Sequence, residues 1–242
     1  MVATPQHASP APSSDTIRLH PPRPKGLFAG WRRRINSVST LGESWAWRWR
    51  LPLSAGLLVG AWVLQMFSRP TVFENSASDN TLDYAGWACL AIGMGWRIWA
   101  ARSISGRKSK EIVDDGAYSV CRNPLYVGTF FIGLAAACFL KSGVFLIAGV
   151  LVALLYVCGV VPAEERYLLG RHGAAYEDYC RRVWAWIPSL RNYTPVATPI
   201  VSHKSWMAEC VRSIWWLALP VVLEATCYIR EALPVLWVLP LP

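Results

Sequence analysis

Residues 124–162 read PLYVGTFFIGLAAACFLKSGVFLIAGVLVALLYVCGVVP. The stretch holds two apolar runs, Pro124 to Leu140 and Val144 to Pro162, separated only by Lys141, Ser142 and Gly143. A membrane-spanning helix needs about 20 apolar residues at 1.5 Å each, and so short a connection forces the two runs into an antiparallel helical hairpin. Two further apolar runs precede the hairpin, from about Trp47 to Phe67 and from Leu82 to Ala101. A fifth, Trp206 to Ile229, is interrupted by Glu209, Arg212, Pro220 and Glu224, and Leu233 to Leu241 follows it with two more prolines. The fifth run fits a span, a tilted helix or a surface helix equally well. Nothing alternates with period two between turn signals, so no sheet is expected. The fold class expected is all-α: an integral membrane helical bundle of four to five transmembrane helices.

Composition agrees. Of 242 residues, 54% are hydrophobic and 16% charged, with 14 Trp and a net charge of +9, whereas a soluble domain carries about 25% charge. The seven Cys include no C-x-x-C pair and several lie in apolar runs, so they read as small buried residues rather than disulfide partners. His7, His20, His172 and His203 are widely spaced, which leaves no metal-ligand cluster visible and no metal expected. Residues 1–44 hold six prolines in the first 24 positions and then Arg32, Arg33 and Arg34, as a disordered basic arm would. The triplet suits topology-setting or anionic lipid better than nucleic acid, because an apolar run follows at once. Residues 45–194 are expected to form the membrane-embedded functional domain, and 195–242 a hydrophobic carboxyl-terminal extension outside it.

The basic residues set an orientation. Eight Lys or Arg precede or open the first run, residues 68–81 have only Arg69, residues 102–123 have five, the hairpin turn has Lys141, and residues 163–205 have six. This alternation places the amino terminus, the loop before Asn123 and the segment after Pro162 on the cytoplasmic side.

Both ends of the hairpin then meet at one face. Asn123-Pro124 is an N-cap residue followed by a proline at the first helical position, where the missing N–H is harmless. Such a helix start is a site for anions. Beside it stand Glu164 and Glu165 after Pro162, expected at a helix carboxyl terminus where they oppose the macrodipole. Donors for a carboxylate beside acceptors for an ammonium form a pocket suited to an amino-acid zwitterion. The bland alternative is a solvated acidic pair neutralised by Arg166, Arg171, Arg181 and Arg182. Tyr176 and Tyr179 share a face of the next helix. Gly93 and Gly95 allow close approach of a ligand or, more commonly in membrane helices, of another helix. Arg97 sits four residues from the end of its run, where snorkelling to the rim is the ordinary outcome.

Taken in order, Asp115-Gly116-Ala117-Tyr118, Cys121-Arg122-Asn123-Pro124-Leu125-Tyr126-Val127-Gly128, Glu164-Glu165, and Gly173 with Tyr176, Tyr179 and Ile187-Pro188 resemble the isoprenylcysteine carboxyl methyltransferase family, a relative of the membrane phospholipid methyltransferases. The resemblance covers about residues 82–190. It implies an integral membrane enzyme that uses S-adenosylmethionine, in a cytoplasmic cofactor pocket, to methylate a lipid or lipidated acceptor in the bilayer, with no nucleic-acid partner and no metal. By the same resemblance, cofactor contacts fall on Tyr118, Asn123, Pro124, Leu125, Tyr126 and Glu164 or Glu165, on residues from about Lys110 to Val113, and on Gly93 and Gly95. Two positions depart from the family pattern. Asn123 stands where the motif usually has His, and Val160-Val161 where prenylcysteine enzymes carry a substrate-binding arginine. Two alternatives share parts of the pattern: an NADPH-dependent sterol-type membrane reductase, and a non-catalytic protein on the same scaffold. The sequence identifies no catalytic side chain.

Overall fold

The computed structural model describes residues 44–68, 72, 76–107, 111–196 and 203–233. The basic arm expected over 1–44, Lys110, and the apolar run after Leu233 fall essentially outside the described residues. The elements are helices α1 (Trp45–Met66), α2 (Ala77–Ile104), α3 (Ala117–Val120), α4 (Pro124–Leu140), α5 (Gly143–Leu155), α6 (Val161–His172), α7 (Ala174–Arg182), α8 (His203–Trp216) and α9 (Ala218–Ala232). No sheet occurs among them.

The α4–α5 hairpin forms as the sequence dictates. Lys141 ends α4 in the left-handed conformation (φ 49°), and the Ser142 hydroxyl caps α5 by accepting from the Phe145 N–H at 3.3 Å. The expected end of the second arm at Pro162 is corrected by the structure. Residues Tyr156–Val160 form one π-helical turn in which the Val161 N–H donates to the Tyr156 carbonyl. This wider turn relieves the clash of the Pro162 ring with the turn before it. One helix therefore runs unbroken over Gly143–His172. Glu164 and Glu165 lie within that helix, one turn past the π turn, and not at its carboxyl terminus.

By length and apolarity together, Gly143–His172 and Trp206–Ala232 qualify as membrane spans, and α4 is apolar at 17 residues. The second of these is the run whose status the sequence left open; its α-helical pattern is interrupted at Leu217, between α8 and α9 and three residues before Pro220. The four-to-five-span reading also counts α1 and α2, which are long enough but diluted by polar residues.

The core joins Ala61 of α1, Leu90 of α2, Ile132, Ala135 and Phe139 of α4, Phe145 and Ala148 of α5, and Leu223 and Cys227 of α9. Helices α2 and α4 approach closely because three glycines line their contact: a Cβ on Gly86 would lie 2.8 Å from the Phe139 ring, and one on Gly93 the same distance from the Gly128 carbonyl oxygen. The carboxyl-terminal segment is part of this packing, with α8 against α2 and α9 against α4. At the hairpin turn the Lys141 ammonium, fully buried, pairs with Asp79, with Asp83 at 3.3 Å and with Glu224 of α9 at 3.2 Å. A second cluster, Tyr176, Tyr179 and Val183 with Ile112, Leu168 and Leu169, builds the other end of the molecule. Among the described residues, no disulfide joins any of the seven cysteines.

Candidate functional site

The segment before α4 is shaped by Gly116, whose φ of +57° and whose contact with Ser103 Oγ leave no room for a side chain. Residues 183–196 return across it. The Gly116 N–H donates to the Thr194 carbonyl at 2.8 Å, the Ser189 N–H to that of Val120 at 3.0 Å and the Arg122 N–H to that of Trp184 at 2.9 Å. From α7, the buried Tyr179 hydroxyl donates to the Tyr118 carbonyl at 2.9 Å. Tyr176 and Tyr179, both buried with Val183, thus face inward, and Tyr179 ties α7 to the segment before α4.

Asn123 occupies the N-cap position of α4, yet its side chain makes no capping bond; its amide donates to the Ala185 carbonyl at 3.1 Å. Pro124 follows, buried, at the first helical position. The first turn of α4 accordingly receives no side-chain acceptor from its cap, which suits a helix start that receives an anion. Within that first turn, the Tyr126 hydroxyl donates to Glu164 Oε2 at 3.0 Å. The arrangement brings the acidic pair to the start of α4, as the hairpin geometry requires.

The two glutamates have different surroundings. Glu165 pairs with Arg122 at 2.9 Å. Burial alone would lower the Arg122 guanidinium, but the Glu165 carboxylate and the neighbouring Cys180 and tyrosines hold it above its ordinary value. Of the arginines named as neutralising the pair, Arg166 donates to the Pro162 carbonyl, Arg181 binds Glu177 and Arg182 binds Asp114. Aromatic rings surround the Tyr126 hydroxyl bond to Glu164. The Tyr126 ring lies 5.2 Å from Tyr156 and 6.5 Å from Trp186, and Trp186 stacks on Phe130 at 5.6 Å. The Tyr118 phenol is pushed well above its ordinary value by burial and then by the Glu164 carboxylate. Tyr156 and Trp186 were not singled out in the sequence, and Arg122, though part of the quoted motif, was given no role there. Tyr156 precedes Glu164 by eight residues, two helical turns plus the residue that the π turn adds.

Leu125 contributes its carbonyl, which accepts from Thr129 Oγ1 at 2.8 Å. Gly93 belongs to the α2–α4 contact described above, while nothing lies within 4 Å of a Cβ placed on Gly95. Gly93→Ala is therefore expected to destabilise the bundle by about 1–3 kcal/mol, as overpacking does, and Gly95→Ala to leave the unfolding midpoint unchanged. Equal midpoints for the two variants in detergent would refute this difference. No group of three or more His, Cys, Asp or Glu among the described residues is disposed to hold a metal ion.

The phospholipid methyltransferase family matches residues 82–175. The chain is 34% identical over 167 residues to the nickel-cobalt-cadmium resistance protein NccN of Alcaligenes xylosoxydans xylosoxydans, covering 68% of this chain and 76% of the relative. It is 34% identical over 153 residues to the cobalt-zinc-cadmium resistance protein CzcN of Cupriavidus metallidurans, covering 63% and 68%. It is 31% identical over 89 residues to the protein-S-isoprenylcysteine O-methyltransferase of Schizosaccharomyces pombe, covering 36% and 38%. No solved structure matches the chain. With the motif order, the all-helical architecture and these relatives in agreement, the chain belongs to the phospholipid and isoprenylcysteine methyltransferase-like family of membrane proteins.

Proposed function

We propose that this protein is an S-adenosylmethionine-dependent methyltransferase acting on a lipid or lipidated acceptor, with four to five spans and its cofactor pocket on the cytoplasmic side. The observation that carries the reading is the meeting of Glu164 and Tyr126 at the uncapped first turn of α4. The cofactor's amino-acid end needs a donor for its carboxylate, for which the Leu125 N–H is suited in a helix start shaped by Asn123, Pro124 and Tyr126, and an acceptor for its ammonium, which Glu164 supplies. The Tyr118, Tyr126, Tyr156 and Trp186 rings offer faces suited to its cationic centre. Gly95 leaves room on α2 for close approach.

When bound, S-adenosylmethionine supplies an already activated methyl group. The chain's own work is then to hold the acceptor in line and to keep water out. No His lies in the matched motifs, so an acceptor that needs no base, such as an ionised carboxylate, suits the site best. Incubating membranes with methyl-labelled cofactor and extracting into organic solvent tests the class; label confined to water-soluble products would overturn it. Titration of purified protein with NADPH separates the reductase alternative.

The names of two relatives favour a physiological setting in resistance to divalent metal cations. A methylated membrane component would serve there without the chain itself holding a metal. A deletion strain should then grow poorly in cobalt or cadmium, with rescue by the parent gene and none by Glu164→Gln. Equal rescue by both would separate resistance from the proposed site.

The orientation has its own check. A single Cys placed at Leu190, 74% exposed, in a cysteine-free background should be labelled from the cytoplasmic side. Labelling from the outside only would reverse both topology and pocket.

A further inference from the structure

Arg97 does not snorkel. Its side chain is 15% exposed, and it turns inward to α4 and α8. Nε and Nη2 both meet Glu209 Oε1, at 2.8 and 2.7 Å, and Glu209 is 7% exposed. Nη1 reaches Thr129 Oγ1 at 2.6 Å and the Leu125 carbonyl at 3.4 Å. The stem passes so close to α4 that a Cβ on Gly128 would lie 2.6 Å from Arg97 Cγ. One planar guanidinium thus ties α8 to the first two turns of α4.

We propose that Glu209 of α8 is a positioning residue for the first turn of α4. A guanidinium is a rigid fork. With two of its nitrogens fixed on one carboxylate oxygen, the third edge must face Leu125 and Thr129. The second Glu209 oxygen is held by Arg212 on the next turn of α8, so the carboxylate is itself braced. Without Glu209 the buried guanidinium has a countercharge to replace, and its flexible stem lets it swing toward the rim. The Leu125 carbonyl then loses its brace, and the first-turn N–H groups lose their fixed direction. This rests on the proposed reading, because that turn is where the cofactor's carboxylate is placed. It also gives residues after 195 a part in the proposed site: α8 stands beyond the family match at 82–175, and its Glu209 holds the guanidinium that reaches α4.

The experiment uses the full chain in detergent, with S-adenosylhomocysteine as probe and hydrogen exchange read on peptides covering residues 121–131. Glu209→Gln should weaken binding roughly tenfold, the factor given by 1.4 kcal/mol. The cofactor KM should rise by a similar factor while kcat at saturating cofactor stays within about threefold, and the peptides should exchange faster. The double variant Arg97→Met with Glu209→Met removes both charges, so its unfolding midpoint should stay near the parent's while binding remains weak. Unchanged affinity or unchanged exchange in Glu209→Gln overturns the proposal, as does parental affinity in a folded double variant. If the parent itself binds no S-adenosylhomocysteine, the methyltransferase reading falls and exchange at α4 alone decides the positioning role.

Discussion

Glu164→Gln is expected to weaken S-adenosylhomocysteine binding by roughly thirty-fold or more. Removing one partner of a desolvated charge pair costs about 2–5 kcal/mol, and 1.4 kcal/mol is tenfold. S-adenosylhomocysteine keeps the amino-acid end, so calorimetric titration reads the contact directly. The structure divides the acidic pair. Glu165 is engaged by Arg122, whose side chain is 13% exposed, so Glu165→Gln should lower the unfolding midpoint more than it lowers affinity. Glu177 is the control. It is 41% exposed and pairs with Arg181 on its own helix, and its replacement by Gln should change affinity by less than about 1 kcal/mol. Parental binding in both Glu164→Gln and Glu165→Gln would reduce the pair to a polar patch on a long helix.

The largest loss of stability should come from the opposite end of the bundle. Lys141→Met removes the ammonium around which Asp79, Asp83 and Glu224 gather. Breaking a buried pair by deleting one partner costs about 3–5 kcal/mol, a large share of the roughly 5–15 kcal/mol that holds a typical protein folded. Lys141→Arg keeps the charge and should lose less. Unfolding in detergent, followed by far-ultraviolet circular dichroism, measures both. An unchanged midpoint for Lys141→Met would mean that the three carboxylates do not depend on the lysine.

The hairpin, the all-helical class and the convergence of Glu164 on the start of α4 were legible because each is local or follows from helix length. Lys141-Ser142-Gly143 admits only a tight turn, and 17 residues of α4 rise about 25 Å. The ion pairs were not legible. Arg97 and Glu209 stand 112 residues apart in sequence, and Lys141 and Glu224 stand 83 apart. A hydrophobic pattern carries no information on which buried charges meet. Asn123 was placed correctly at the N-cap but not in its bonding, since its amide takes a carbonyl contributed by residue 185. The run through Pro162 was missed for a different reason: proline normally ends a helix or opens one, and only the π turn lets this helix continue.

That turn also acts as slack in the winding of the 30-residue helix. An α-helix advances about 100° per residue, so a residue inserted into an even winding would turn everything after it by that angle. The wide turn over Tyr156–Val160 takes up the extra residue instead, and Tyr156 and Glu164, eight residues apart, still meet the same Tyr126. Deleting Gly159 would return the helix to an even winding with Glu164 still directed at Tyr126, and it would restore the clash of the Pro162 ring with the turn before it.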